Sequence, residues 1–354
     1  MNKPDGKKAL VVGDTANIAR VLKSPTEFGF YGLPDDKQWR DGFAKSIKLM
    51  HQVLMPALMP RFMSSSIRTD IAEISRDFFR EMVAFAEVGK PVNTLIEDFV
   101  TTVIFKCIIG SKISNEEMPL FRSSQKADLS ETGQASTVIS RILNEQTPLS
   151  VELLKTEKAE NLYEGWAIEQ LMSLVFAGAG TTSTFITMAL ARMALNPEMQ
   201  SLIAAEKNAE AAPFTDAFLK EVLRLNPPVL TISREALEDN FFEEFGVSKG
   251  MEVILNLYPG LNDTNVFGAH CDQFAPERWL QRKIESSAFI PFGYGPHICI
   301  GRHLAMMEAS ILLKELCSMA ELSLTSGFEL PNVEHLGRAT EIIQPLFLKS
   351  TFKG

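Results

Sequence analysis

The chain has 354 residues, of which 45% are hydrophobic and 22% charged, so it is long enough for one large domain with a substantial core. Its net charge is −9 and it has no long basic run, which argues against a nucleic-acid partner because phosphate binding needs clustered Lys and Arg. Four cysteines without paired spacing argue against a disulfide framework and for a reducing compartment. The polar N-terminus and the lack of a long uninterrupted apolar run predict a soluble, cytoplasmic protein without a membrane anchor.

The first part of the chain alternates helical patterns with short breaks. Asp14 or Thr15 can cap a first helix, and Pro56 is expected to end a later one. The polar residues 111–150 define no clear element. The predicted elements of this part are a strand at 9–12, a loop at 29–42 and helices at 15–23, 45–55, 63–88 and 95–109.

The clearest pattern is a long helix without proline, predicted over residues 163–195. A helix of that length spans roughly 45–50 Å and would cross a whole domain. Gly178 and Gly180 lie at its middle, where each costs on the order of 1 kcal/mol relative to Ala, so we expect a close approach or a kink there. The other predicted elements are helices at 215–225 and 302–319, strands at 230–235 and 251–257, and short strands in the tail. These patterns predict a mainly helical chain with a small β region, organised as a single domain.

The run 292–301 is the most informative stretch of the chain. It places Cys299 among three glycines and directly before a helical pattern. Such a loop can bring backbone close to a flat cofactor, and a thiolate near a helix N-terminus is a suitable ligand for haem iron. A glycine-rich turn with a structural cysteine is one alternative. Zinc is another, because His297 and His303 flank the cysteine, although zinc sites usually show tighter paired spacing.

This run resembles the haem-ligand loop of the cytochrome P-450 superfamily, Phe-x-x-Gly-x-x-x-Cys-x-Gly. The resemblance is to soluble, bacterial-like members and extends over nearly the whole chain. It implies that Cys299 is the axial ligand of haem b, that Phe292 packs beside the sulfur and that His297 contacts a haem propionate. Gly293 and Gly301 complete the cofactor-binding loop in this interpretation.

Charged residues elsewhere fit the same family. Glu221 and Arg224 share a helix face, which alone favours an exposed salt bridge of little energetic value. The resemblance instead implies that they form a buried network with Arg278, and that this network holds the haem loop in place. Arg234 follows a proline pair, where the resemblance implies a propionate ligand; an exposed strand residue is the alternative.

The centre of the long helix resembles the oxygen-binding segment of the family. Ala177, Gly178, Thr181 and Thr182 match it, but Gly180 stands where the family has an acid. In the family this acid and the following threonine relay protons during oxygen activation, and Gly180 has no titratable group. Two alternatives stay open. Ordered water replaces the acid and ordinary monooxygenation follows, or the protein uses peroxide, rearranges an oxidised substrate or couples substrate radicals.

Two further departures concern the first half of the chain. An alignment on residues 54–56 puts His51 where the family has a propionate-binding Arg, so His51 is either a pH-dependent propionate ligand or a loop histidine. The family's segment before residues 9–12 is reduced, and the lid region 110–163 is short. Three alternatives follow: the pocket is open, the lid is compact, or a partner or second subunit covers the exposed surface.

The resemblance implies an oxidoreductase that inserts oxygen into, or abstracts hydrogen from, an apolar or aromatic small molecule. If dioxygen is the oxidant, an external ferredoxin or flavodoxin is implied, with Arg282, Lys283 and Arg302 as candidates for its docking site. The alternatives are a peroxide-using, radical-coupling or isomerase/dehydratase haem-thiolate enzyme, a non-catalytic haem or gas-binding protein, and a zinc protein.

Overall fold

The computed structural model of the chain describes residues 8–34, 36–59, 65–122, 129–209, 211–242, 245–325, 329–330 and 344–352. These residues group into two compact units, each built from segments that are separated in sequence. The first unit comprises the described residues of Met1–Phe43 together with Ala217–Cys299. The second comprises those of Ala44–Asp216, Ile300–Leu330 and Ile342–Gly354. The organisation as a single domain stays a prediction.

The described residues are mainly helical with small sheets, as the sequence predicted. The strands are β1 (Ala9–Val12), β2 (Phe28–Phe30), β3 (Thr231–Ala236), β4 (Asn240–Phe242), β5 (Phe245–Val247), β6 (Glu252–Asn256), β7 (Ala320–Leu324) and β8 (Leu348–Phe352). The helices are α1 (Thr15–Lys23), α2 (Lys37–Leu58), α3 (Ser65–Glu87), α4 (Asn93–Val103), α5 (Leu129–Leu143), α6 (Pro148–Ala159), α7 (Trp166–Ala194), α8 (Pro197–Ala205), α9 (Pro213–Leu225), α10 (Leu257–Leu261), α11 (Thr264–Phe267), α12 (Arg278–Gln281) and α13 (Arg302–Met319). Shorter helical turns are Ile104–Ile109 (π) and Met118–Phe121 and Gly295–His297 (3₁₀).

The first unit is built on a four-stranded sheet in the order β1-β6-β3-β2. β1 pairs with β6 in parallel, and the other neighbours are antiparallel. Asp14, one of the two caps that the sequence predicted, precedes helix α1 as its N-cap: its carboxylate accepts a hydrogen bond from the Asn17 amide at 2.8 Å. Its apolar face, with Ile18 and Val21, packs in the same core as Leu255 of β6. This core fixes α1 beside the sheet.

The second unit is organised around α7, which packs against α4, α5 and α6. The helix is long and apolar enough to cross a membrane by composition, but 61% of its most apolar stretch is buried inside the protein, as in a core helix. The close approach expected near its centre is confirmed at Gly178. A Cβ there would lie 2.8 Å from Cδ1 of Ile104, so the missing side chain lets the π turn that follows α4 pack closely against α7.

Two sequence predictions of local structure were wrong, and one hairpin was missed. Residues 29–42 are not a loop, because they contain part of β2 and the start of α2. Pro56 does not end its helix: α2 continues to Leu58, and Leu54 and Leu58 are both buried on either side of the proline. The hairpin of β4 and β5 was missed, because its strands have only three residues each. Tertiary packing decides the local structure at each of these places.

Candidate cofactor site

The loop that carries Cys299 is closed by backbone hydrogen bonds within the first unit. The Cys299 amide donates to the Phe292 carbonyl at 2.9 Å, and the Gly293 amide donates to the Ile290 carbonyl at 3.0 Å. The 3₁₀ turn Gly295–His297 lies between Phe292 and Cys299 in sequence. Cys299 itself is exposed. The loop therefore holds an accessible sulfur on a fixed backbone.

Two glycines give this loop its shape. Gly293 has a φ of +75° and Gly295 a φ of +76°, values that side-chain-bearing residues rarely adopt. A Cβ on Gly295 would also lie 2.4 Å from the carbonyl oxygen of Leu22, at the end of α1. A Cβ on Gly293 would meet nothing closer than Cδ1 of Ile232, at 4.0 Å. Gly295 is thus required for both its conformation and the close contact with α1, and Gly293 for its conformation alone.

Arg234 is a nearly buried cation on β3 and is 9% exposed. Its guanidinium donates to the Ser233 carbonyl at 3.0 Å, and no carboxylate within ion-pair distance of it is found in the part of the chain that the structure describes. Burial lowers its pKa, because the charged form is separated from water. A buried charge is costly unless it is matched. The propionate groups of haem are anions that would match it, so the residues of the first unit fit this cofactor.

Phe30 of β2 is a part of this region that the sequence interpretation missed. Its ring centroid lies 4.9 Å from that of His297, and Cζ of Arg234 lies 5.2 Å from the ring. Two of the residues predicted to contact propionates, His297 and Arg234, therefore contact the same aromatic ring. No sequence signal pointed to Phe30, because its contacts come from distant parts of the chain.

Glu221 is the centre of a buried hydrogen-bond network in the first unit. Its two carboxylate oxygens accept from Arg224 at 2.8 and 2.9 Å and from Nε of Arg278 at 2.9 Å. They also accept from the Ala275 amide at 3.0 Å and from the Trp279 indole at 2.9 Å. Burial opposes the charge, but these donors, Arg224 foremost, outweigh it and hold the pKa of Glu221 below its usual value. The carboxylate therefore stays ionised although it is fully buried.

Both arginines of this network are satisfied elsewhere as well. Arg224 donates to the carbonyls of Leu261 and Gln273, and its guanidinium lies 5.0 Å from the centroid of the Phe267 ring. Arg278 donates to the carbonyls of Phe267, His270 and Gln273. The network thus joins α9 to the segment 261–279, which precedes the Cys299 loop in sequence. Its role in holding that loop stays a prediction.

The predicted oxygen-binding residues lie on α7, in the second unit. Ala177 and Thr181 are exposed, whereas Thr182 is buried. The Thr181 hydroxyl donates to the Ala177 carbonyl at 2.8 Å, so its proton is held by its own helix. Gly178 packs against Ile104, as described above. Gly180 lies between these residues on the unbroken helix and contributes no acid.

The other candidate residues are placed as follows. Gly301 precedes α13 with an ordinary right-handed backbone, so its conformation does not require glycine. His51 lies on α2 in the second unit, and burial lowers its pKa. Among the described residues there is no group of three or more His, Cys, Asp and Glu side chains placed to hold a metal ion, which leaves the zinc interpretation without a ligand set.

Comparison with known proteins identifies the family to which the chain is similar. Residues 123–345 match the family model for cytochrome P450. The chain is 31% identical over 198 residues to cytochrome P450 709B3 of Arabidopsis thaliana, covering 51% of this chain and 38% of that protein. It is 30% identical over 239 residues to mitochondrial sterol 26-hydroxylase of Mus musculus (62% and 42%). It is 28% identical over 264 residues to steroid 17-alpha-hydroxylase/17,20 lyase of Cavia porcellus (69% and 50%).

The chain therefore belongs to the cytochrome P450 family, as the resemblance of its motifs predicted. Proteins of this family bind haem b through a cysteine thiolate, and they are monooxygenases and related oxidoreductases. The chain spans half or less of the length of these three relatives. The match begins at residue 123, so His51 lies outside it.

Proposed function

We propose that this protein is a haem-thiolate oxidoreductase that oxidises an apolar or aromatic small molecule by oxygen insertion or hydrogen abstraction. The observation that carries the proposal is that the first unit contains both the accessible Cys299 on its closed loop and the buried Arg234 guanidinium, which has no carboxylate partner among the described residues. A soft sulfur ligand and a buried cation are the two features that an iron porphyrin with anionic side chains requires.

The candidate residues of the two units have distinct roles in this proposal. Cys299 would supply the thiolate ligand of haem, and Arg234 and His297 would hold the propionates. When bound, thiolate-ligated haem supplies an iron centre whose electron-rich ligand favours O–O cleavage. Glu221, Arg224 and Arg278 keep the segment before the cysteine loop in place. Thr181 offers an oxygen that can accept a hydrogen bond, since its proton is donated to Ala177.

The experiment is to express the chain with a haem precursor and measure haem and metals per chain. The proposal predicts one haem b per chain, little zinc, and a shift of the absorption spectrum on addition of apolar or aromatic compounds. A chain that carries zinc, or that takes up no haem, contradicts it. A haem protein that binds ligands but forms no product with any oxidant would instead be a non-catalytic haem protein.

A second candidate function is a haem-thiolate enzyme that does not need the usual proton relay. Peroxide-driven oxidation, radical coupling and isomerisation or dehydration of peroxides belong to this class. Two observations favour it: Gly180 supplies no acid, and the Thr181 hydroxyl proton is held by the Ala177 carbonyl. Ordered water in the space beside Gly180 would retain ordinary monooxygenation.

The variant Gly180→Asp separates these functions, with Gly180→Ala as its control. For a dioxygen-dependent enzyme, Gly180→Asp should form several times more product per electron consumed, because it restores a proton donor, and Gly180→Ala should not. Neither variant should gain activity with peroxide. A wild-type protein that turns over with peroxide but not with an electron donor supports the second function.

An external electron donor, such as a ferredoxin or flavodoxin, is part of the proposal. Arg282 and Lys283 are exposed in the first unit, and Lys283 forms only a weak surface pair with Glu285, at 3.7 Å. Arg302 belongs to the second unit. Charge reversal at each position should slow reduction of the protein, and an unchanged rate rejects that residue as a contact of the electron donor. A cytoplasmic location and cover of the N-terminal region by a partner or second copy remain predictions, to be checked by fractionation and by solution mass.

A further inference from the structure

Aromatic rings form a column that runs from an exposed side chain to the cysteine loop. Trp39, which is 47% exposed, stacks on Phe43 with ring centroids 5.5 Å apart and planes 9° apart. Phe43 meets Phe30 edge-on at 5.4 Å, and Phe30 meets His297 at 4.9 Å. All four residues belong to the first unit. The column therefore ends two residues before Cys299 in sequence.

Phe30 is the ring of this column that also contacts Arg234. The two residues are directly paired in the antiparallel ladder of β2 and β3, so their side chains lie on the same face of the sheet. Cζ of Arg234 is 5.2 Å from the centroid of the Phe30 ring, within the range of a cation–π interaction. One ring thus faces both a guanidinium and an imidazole.

Polar contacts of Arg40 hold the start of α2 against β3. Arg40, on the first turn of α2, forms an ion pair with Glu235 at 3.1 Å, and Glu235 is the residue after Arg234 on β3. The Arg40 guanidinium also donates to the Pro34 carbonyl at 2.7 Å. These contacts fix the start of α2, and with it Phe43, against the strand that carries Arg234. Phe30 thus lies between Arg234, its partner on β3, and the ring of Phe43 on α2.

We propose that Phe30 is a positioning residue for the cofactor. Its ring holds the Arg234 guanidinium and the His297 ring in the orientation in which both receive the anionic side chains of haem. The proposal rests on the proposed function, because it assumes that haem is the cofactor. A long arginine side chain loses conformational freedom when it binds a ligand, and orienting it beforehand reduces that loss. Removal of the ring should therefore weaken haem retention without removing either ligand.

The test compares Phe30→Leu with Phe30→Tyr and with Phe28→Leu. Phe28 is two residues away on the same strand, 2% exposed, and its ring packs against Phe242 in the core at 5.7 Å. It has no ring contact with Arg234 or His297 among the described residues. Each haem-loaded protein is mixed with excess apomyoglobin, and the rate of hemin transfer is measured beside the thermal unfolding midpoint.

Phe30→Leu should release hemin roughly tenfold faster than the wild type, the equivalent of a cation–π contact of about 1.4 kcal/mol. Phe30→Tyr, which keeps the ring, should release it at nearly the wild-type rate. Phe28→Leu should lower the unfolding midpoint more than Phe30→Leu does and yet change the hemin rate less than twofold. If Phe30→Leu does not fold, Phe30→Met replaces it with a side chain of similar volume.

A double variant tests the route of the effect. In an Arg234→Met background no guanidinium is left to orient, so Phe30→Leu should accelerate hemin release by less there than in the wild-type background. Three outcomes would each overturn the proposal. Phe30→Leu accelerates hemin release equally in both backgrounds, Phe30→Leu releases hemin at the wild-type rate, or Phe28→Leu releases hemin as fast as Phe30→Leu. A wild-type chain that takes up no hemin would overturn the proposed function itself, and the two failures are therefore distinguishable.

Discussion

Two buried glutamates, one in each unit, show how differently a fold can treat the same side chain. Glu221 is 0% exposed in the first unit and Glu308 is 1% exposed in the second. The carboxylate of Glu221 receives hydrogen bonds from two arginines, an indole and a backbone amide. Oε2 of Glu308, on α13, has no hydrogen-bond partner in the part of the chain that the structure describes.

The two environments move the carboxyl pKa in opposite directions. Donors around Glu221 outweigh burial and lower its pKa, whereas burial alone raises the pKa of Glu308 well above its usual value. The same unit holds Cys107, a half-buried thiol whose pKa burial raises to about 12. The first unit thus maintains a permanent anion among cations, and the second buries a neutral acid. A buried carboxylate keeps its charge only where several donors converge on it.

The largest expected effect comes from breaking the charged network. Glu221→Ala leaves two buried guanidinium groups without their anion, and we expect a loss of about 3–5 kcal/mol in the free energy of unfolding. Denaturant unfolding monitored by circular dichroism measures it. Glu285→Ala is the control, because Glu285 forms an exposed pair with Lys283 in the same unit and should cost less than about 1 kcal/mol. Similar losses in both variants would show that the network is not the stabilising feature of this unit.

The pH dependence of Glu221 has a definite sign. Its folded pKa is lowered, so the stability it contributes is present above the ordinary carboxyl pKa and is lost as the pH falls through the lower, folded value. Glu221→Gln should therefore resemble the wild type more closely in strong acid than at neutral pH. A difference in unfolding free energy between the wild type and Glu221→Gln that stays constant over the acidic range contradicts this account.

A smaller effect is expected from the two glycines of the cysteine loop, which test whether backbone contacts add to the rigidity of the first unit. Gly293→Ala should cost about 1–2 kcal/mol for its left-handed backbone. Gly295→Ala should cost roughly 2–4 kcal/mol, because its Cβ also collides with the Leu22 carbonyl and forces the backbone to move. Thermal unfolding of the two variants measures the difference. Equal losses of stability in the two variants would mean that the contact between α1 and the loop rearranges at little energetic cost.

The last prediction concerns Glu308 and is a change of stability with pH rather than a constant loss. Its folded pKa is raised, so its contribution is complete below the ordinary carboxyl pKa and is lost as the pH rises toward the folded value, by about 1.4 kcal/mol per pH unit. Glu308→Gln has no ionisable group at this position and should remove this slope. Any effect of its amide on the free energy of unfolding is the same at every pH and leaves the slope unchanged. Glu321→Gln, at an exposed position of β7, is the control and should keep the wild-type slope. A wild-type slope in Glu308→Gln would mean that the pKa of Glu308 is not raised in the folded protein.

Local sequence signals predicted the elements that are themselves local. The structure places α13 at Arg302–Met319, as its periodicity predicted, and Asp14 caps α1. Both features depend on contacts within a few residues. The continuation of α2 through Pro56 was not predictable in this way, because it depends on the burial of Leu54 and Leu58 against other parts of the chain.

The residues of the candidate site also fall into those that local sequence predicts and those that it does not. The spacing around Cys299 and the order of Glu221, Arg224 and Arg278 were readable because the family motifs that contain them are short. The indole of Trp279 and the ring of Phe30 were not readable as parts of the site. Trp279 lies 58 residues from Glu221, and Phe30 reaches Arg234 only through the pairing of β2 with β3. Such contacts follow from the fold rather than from local sequence.

The central claim is that Cys299 provides a thiolate ligand to haem iron, and the absorption spectrum of the reduced protein with carbon monoxide tests it most directly. We predict a Soret band at the long-wavelength position typical of thiolate ligation in the wild type and its loss in Cys299→Ser, while Cys271→Ser keeps it. A wild-type spectrum without that band, or a Cys299→Ser protein that retains it, would contradict the assignment.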